Sequence, residues 1–175
     1  LLDPYYSPGV SFQWSGPSKN GKADGQGVAS KYKNGQFESK YEGTYKKGVR
    51  QGKGTFTHAD GTVRQGTFVN GQLIGYGTMD SEDGQTYVGE FLNYRIHGKG
   101  KATWGNGSTF EGYFVSDAPY TGKFTNYDGT VTYIQKGEAV QRLETSNISY
   151  SPKIGQRITE YFDENWNRCG AKNAA

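Results

Sequence analysis

The sequence predicts an all-β fold: an elongated antiparallel array of β-hairpins, a single-layer twisted sheet of about 12 strands followed by a short C-terminal extension. Three observations predict it. Glycine recurs every 23 residues at Gly43, Gly66, Gly89 and Gly112, and two further sets, Gly52-x-Gly54, Gly75-x-Gly77, Gly98-x-Gly100 and Gly61, Gly84, Gly107, keep the same phase. Large residues stand two places to either side of the first set, as in Tyr41-Glu42-Gly43-Thr44-Tyr45, the period-2 alternation of a half-buried strand. Asn or Asp precedes Gly eight times, at Asn20, Asp24, Asn34, Asp60, Asn70, Asp83, Asn106 and Asp128, and such pairs tolerate the positive φ that tight hairpin turns demand. A helix would lose roughly 1 kcal/mol at every interior Gly relative to Ala.

Taken in order, residues 1–11 form an N-terminal extension and residues 12–137 the repeat region, about six units long. The first unit holds Trp14-Ser15-Gly16, Gly21, Gly25 and Gly27, and reaches the next through a lengthened stretch from Gly35 to Gly43. Each regular unit supplies two strands, as in Tyr41 to Tyr45 followed by Gly52 to Thr57. Four positions depart from the pattern: Arg64 stands where a ring is due, Tyr94 replaces a turn Gly, one residue is missing between Gly112 and Gly122, and Ile134 stands where Gly is due.

Glycine weakens a strand unless something approaches its backbone closely, so the in-strand glycines predict a ring from an adjacent strand laid over each bare Cα. Equivalent strands of successive units lie roughly 9.6 Å apart, too far for direct ring contact, so Phe56, Met79, Ala102 and Phe124 of the intervening strands are expected to fill the gap. After Gly137 the periodicity stops, and residues 138–175 form the C-terminal extension. It opens with a polar connection carrying the glycosylation sequon Asn147-Ile148-Ser149. Residues 157–170 then read either as a terminal hairpin turning at Asp163 to Asn167 or as a short helix lined by Ile158, Tyr161, Phe162 and Trp166.

The core must be built mostly from rings, because hydrophobic residues make up only 33% of the chain while it holds 14 Tyr, 9 Phe and 3 Trp. Charge is unevenly spread. Residues 19–53 carry nine Lys or Arg against three acids, a local +6, and residues 54–138 carry six against nine, a local −3. One end of the array would therefore attract anions, although lysines at strand edges also discourage sheet-to-sheet aggregation. The single cysteine, Cys169, excludes an internal disulfide and leaves the compartment open. No apolar run approaches the roughly 18 residues of a membrane helix. Leu1-Leu2-Asp3-Pro4 is not a signal peptide, and a start without Met reads as a trimmed or partial chain.

Tyr41-Glu42-Gly43-Thr44-Tyr45-Lys46-Lys47-Gly48 with Gly52-Lys53-Gly54, and Tyr87-Val88-Gly89-Glu90-Phe91 with Gly98-Lys99-Gly100, resemble the MORN repeat, and the likeness runs over residues 12–137. The opening Trp14-Ser15-Gly16, with Asn20-Gly21-Lys22-Ala23-Asp24-Gly25-Gln26-Gly27, looks like the leading unit of bacterial MORN proteins. That likeness favours a bacterial source and a periplasmic or envelope-associated setting over a cytoplasmic one. The resemblance implies a non-catalytic structural or adaptor module: a scaffold, a dimerisation platform or a membrane-proximal adaptor.

Reactive groups are sparse. His58 near a strand end and His97 in the turn before Gly98 lie in different units, and Cys169 has no histidine near it in sequence. Glu90 and Glu111 belong on the polar face, where cross-strand pairing with Lys99 or Lys101 is expected. Gly-x-Gly here lacks the strand-to-helix context of a phosphate loop. No catalytic residue, metal ligand or cofactor is expected. Two binding sites are. A partly exposed aromatic stripe of Tyr87, Phe91, Phe110 and Phe114 would dock a protein partner or a second copy. Lys46, Lys47, Arg50 and Lys53, gathered around one hairpin turn, would alternatively hold anionic lipid headgroups. Glycan binding on ring platforms is a third reading, and the near balance of charge argues against nucleic acid.

Overall fold

The computed structural model describes residues 8–140 and the backbone of residues 161–162 and 168–169. The described residues contain no helix. Their strands are β1 (Val10–Trp14), β2 (Ser18–Lys19), β3 (Lys22–Ala23), β4 (Gly25–Lys33), β5 (Gln36–Lys46), β6 (Val49–His58), β7 (Val63–Val69), β8 (Gln72–Asp80), β9 (Thr86–Leu92), β10 (Arg95–Thr103), β11 (Thr109–Val115), β12 (Ala118–Thr125), β13 (Val131–Gln135), β14 (Glu138–Val140), β15 (Tyr161–Phe162) and β16 (Arg168–Cys169). A 12-stranded antiparallel sheet runs from β1 through β4 to β14 in sequence order, with β2 and β3 set aside as a small hairpin. β15 pairs antiparallel with β16, and the turn or helix read over residues 157–170 otherwise lies outside the described residues. The sequon at Asn147 and the side chain of Cys169 lie outside the described residues.

Two kinds of turn alternate along the chain, and their chemistry explains where Asn and Asp fall. At one long edge the turns have two residues, both at positive φ: Lys47-Gly48, Asn70-Gly71, Asn93-Tyr94, Ser116-Asp117 and Lys136-Gly137. This is the type I′ geometry that matches strand twist, and Asn enters the left-handed region at low cost. At the opposite edge the two-residue turn Asn34-Gly35 joins β4 to β5, and three-residue loops then close on Gly61, Gly84, Gly107 and Gly129, where only the glycine has positive φ. The side chains of Asp60, Asp83, Asn106 and Asp128 there accept the N–H two residues on, at 2.8–3.1 Å. Asp24-Gly25 is not a hairpin turn, since Gly25 already opens β4. The two-residue turns also hold the repeats together, because Gly71, Tyr94 and Asp117 donate their N–H groups to the carbonyls of Arg50, Leu73 and Ile96 in the preceding unit.

In-strand glycines form rows across the sheet. Gly27, Gly43, Gly54 and Gly66 face one another from β4 to β7, and Gly77, Gly89, Gly100, Gly112 and Gly122 do so from β8 to β12. The covering ring comes from the glycine's own strand, two residues earlier on the same face, and reaches across to the neighbouring strand's glycine. Tyr41 lies over Gly43 and Gly54, where a Cβ would meet its ring at 2.6 Å, and Tyr87 lies over Gly89 and Gly100.

That lean overturns the expectation that rings on equivalent strands of successive units cannot touch. Tyr41 on β5 meets Phe68 on β7 edge-to-face at 4.8 Å, and Tyr87 on β9 meets Phe114 on β11 at 5.2 Å, each across a strand that contributes only a Cα at the crossing point. The core is therefore continuous along one face: Tyr41, Phe68, Leu73, Met79, Tyr87, Phe91, Ile96, Ala102, Phe110 and Phe114 are all buried, and Ile134 packs beside them at the far end.

Candidate functional site

The four rings expected to dock a partner are the middle of this core. Tyr87 and Phe110 are 0% exposed, and Phe91 and Phe114 2%. They stack edge-to-face on one another at 5.0–5.2 Å and have no surface left to offer. The alternation of each strand places the exposed apolar residues on the opposite face instead: Tyr76, Val88, Leu92, Tyr113 and Val115, on β8, β9 and β11. Tyr76 stands opposite Glu90, and Tyr113 opposite Lys99. Glu90 accepts the backbone N–H of Lys99 at 2.7 Å, so the expected side-chain pairing is replaced by a carboxylate clamp on the backbone of the β10 bulge. Glu111 does lie directly opposite Lys101. His97 sits in that bulge within β10, not in a turn, and its Nδ1 lies 3.5 Å from the N–H of Ser116.

The expected cationic group around the first turn also divides. Lys46, Lys47 and Lys53 are exposed, while Arg50 turns to the aromatic face. Its guanidinium carbon lies 5.1 Å from the centre of the Phe56 ring, 5.4 Å from Tyr94, 5.7 Å from Tyr41 and 5.8 Å from Phe68. Rings from three hairpins thus surround one cation, which lies over the electron-rich face of each. The signal was present in the sequence. Counting back by twos from Phe56 through Gly54 and Gly52 puts Arg50 on the ring side, and Leu73 and Ile96, which follow at the repeat spacing, are core residues.

Tyr94 belongs to the same cluster. It holds the second turn position at φ +68, a conformation that disfavours side chains, and two contacts explain its presence. Its Oη donates to the Gly71 carbonyl at 2.7 Å, and its ring packs on Phe56 and Phe68. Arg64, opposite Phe56 in register, completes the group, and its Nε is buried without an acceptor. The departures at Arg64 and Tyr94, far apart in sequence, thus meet around Phe56 and Arg50.

Beside this cluster a cavity of about 380 Å³ opens, with Lys31, Glu38, Tyr41, Tyr45, Arg50 and His58 among its walls. Lys31 and Glu38 pair at 3.1 Å, so their charges offset each other. Burial pushes the Tyr41 phenol up to about 12 and raises those of Tyr45 and Tyr94, and the rings around Arg50 stay neutral. Burial, followed by the charge of Arg64, pulls the His58 imidazole below its usual value and keeps it uncharged. Among the described residues no carboxylate lies within ion-pair distance of Arg50. Its N–H groups make no hydrogen bond and are not sealed from solvent, so the one uncompensated charge of the cavity is available to a ligand.

The MORN repeat family model matches residues 18–36, 41–63, 65–86 and 87–109, successive segments that follow the hairpin period from β2 to β11. No match is found among curated proteins. MORN repeats form a non-enzymatic module associated with protein–protein or membrane–lipid interactions. With its all-β hairpin array and four in-phase matches, the chain is a MORN-repeat protein.

Proposed function

We propose that the protein is a non-catalytic adaptor that assembles through the outer face of its sheet, with a second copy of the chain as its partner. The carrying observation is the exposed group of Tyr76, Val88, Leu92, Tyr113 and Val115 on a sheet whose opposite face already buries its rings. Apolar surface of this kind marks interfaces more often than chance exposure. The patch is also self-complementary in charge: Glu90 and Lys99 lie between the two tyrosines, and a two-fold arrangement brings the Glu90 of each copy toward the Lys99 of the other. Light scattering at micromolar concentration is expected to give a dimer, and the Tyr76→Ser/Tyr113→Ser chain a monomer. A wild-type chain that stays monomeric and gives no cross-link through β8 to β11 overturns the reading.

A second reading keeps the anionic membrane, now without Arg50. Lys46, Lys47 and Lys53 remain exposed on one hairpin, and each lysine near a charged bilayer contributes about 1 kcal/mol. Co-sedimentation with phosphatidylserine vesicles is expected to weaken on replacing all three by Gln, and to be absent with neutral vesicles. Equal binding to both vesicle types sinks this reading.

A further inference from the structure

We propose that the cavity beside Arg50 is a binding site for a carboxylate carried on an apolar body, either a free acid or the acidic side chain of an extended peptide. The argument begins with charge. Of the groups lining the cavity, Lys31 and Glu38 offset each other and His58 is held neutral, which leaves the single positive charge of Arg50. Next to the cavity, Asp60 in the loop after β6 and Arg64 on β7 carry opposite formal charges, so the local formal balance stays near +1. A carboxylate brings one negative charge, whereas a phosphomonoester brings roughly −1.5 to −2 at neutral pH and would remain under-compensated.

Geometry points the same way. A guanidinium is a planar fork whose paired N–H groups match the two oxygens of a carboxylate. The Arg50 guanidinium carbon lies 5.1–5.8 Å from four ring centres and no hydrogen bond engages its donors, so the fork is positioned before a ligand arrives. Preorganisation of this kind avoids the ordering cost that a free arginine would incur on binding. Among the remaining walls, Phe12, Ala29, Tyr41, Tyr45, Val49 and Phe56 supply apolar or aromatic surface beside the polar Ser39, and a cavity of about 380 Å³ falls within the small-ligand range. The site thus offers one uncompensated charge beside apolar and aromatic walls. The repeat pattern sharpens the contrast: Leu73 and Ile96, at the repeat positions equivalent to Arg50, close the core with aliphatic side chains, so the charged anchor is particular to the Arg50 position and is not a general property of the array.

The test titrates the full chain with phenylacetate and with phenylacetamide, followed by calorimetry and by NMR shifts of the tyrosine rings. Phenylacetate is expected to bind and the neutral amide to bind at least about tenfold more weakly, since only the former meets the fork with a charge. This comparison needs no mutant. Arg50→Lys, which keeps the charge but loses the fork, is expected to weaken phenylacetate by about tenfold, and Arg50→Met to abolish binding while circular dichroism stays native. Lys53→Gln, on the outer face, is expected to leave binding unchanged. Displacement of phenylacetate by the blocked peptide acetyl-Leu-Asp-Leu-amide assigns the carboxylate to a polypeptide, and failure to displace assigns it to a free acid. Equal binding of acid and amide, undiminished binding to a folded Arg50→Met chain, or tighter binding of inorganic phosphate than of phenylacetate each overturns the proposal.

Discussion

Replacing Gly89 by Ala is expected to cost about 3 kcal/mol, because the added methyl group has no direction in which to give way. Gly89 does not lie in the left-handed region, so the cost is purely one of space. Its Cβ would stand 2.5 Å from the Gly100 Cα and 2.6 Å from the Lys99 carbonyl oxygen, both backbone atoms of β10, and would also strike the Tyr87 hydroxyl. Relief requires β9 and β10 to part, and parting them lifts Tyr87 off the glycine row it covers. Gly107→Ala makes the opposite comparison: nothing lies within 4 Å of its Cβ, but its φ of +86 carries left-handed strain of about 1–2 kcal/mol. Urea melts of the two chains should rank Gly89→Ala well below Gly107→Ala. A Gly89→Ala chain as stable as Gly107→Ala would mean that the strands are not in the close contact described.

The glycine clock made the fold class readable because it encodes two independent requirements in one period: positive φ in the turns and bare Cα atoms beneath rings. Both are local, and both recur. The role of the rings was harder to read. A one-layer sheet leaves one apolar face without a covering layer, and on sequence alone that points Tyr87, Phe91, Phe110 and Phe114 toward a partner. Laying each ring flat on glycine backbone removes that obligation, since the sheet itself supplies the second wall and the next repeat's ring the third.

Arg50 shows a different limit. Its position in the repeat placed it in the core, but its charge and its neighbours Lys46, Lys47 and Lys53 suggested the surface. What settles the matter is the meeting of Tyr41, Phe56, Phe68 and Tyr94, four residues spread over more than two repeat periods, which no local window contains. Arg64 and Tyr94 were visible as departures from the pattern, yet nothing in the spacing said that they converge.

Truncating Tyr87 to Ala is expected to remove about 3–5 kcal/mol, the range for a large buried side chain, and to do so locally. The ring is fully buried, stacks on Phe91 and Phe114 at 5.2 Å, covers Gly89 and Gly100, and donates its hydroxyl to the Glu90 carbonyl at 3.0 Å. A repeat array is stabilised by nearest-neighbour contacts, so hydrogen exchange should accelerate from β8 to β11 before it does so at β4 and β5. Tyr76→Ala, on a side chain 69% exposed, should stay within about 0.5 kcal/mol of the wild type. The pair separates architecture from assembly. If the outer face is the contact surface, Tyr76→Ala dissociates the dimer and melts as the wild type does at dilutions where that too is monomeric, whereas Tyr87→Ala lowers the melting temperature at every protein concentration, dimer or not. A Tyr87→Ala chain with unaltered exchange and a lost dimer would return the four rings to the surface role first read from the sequence.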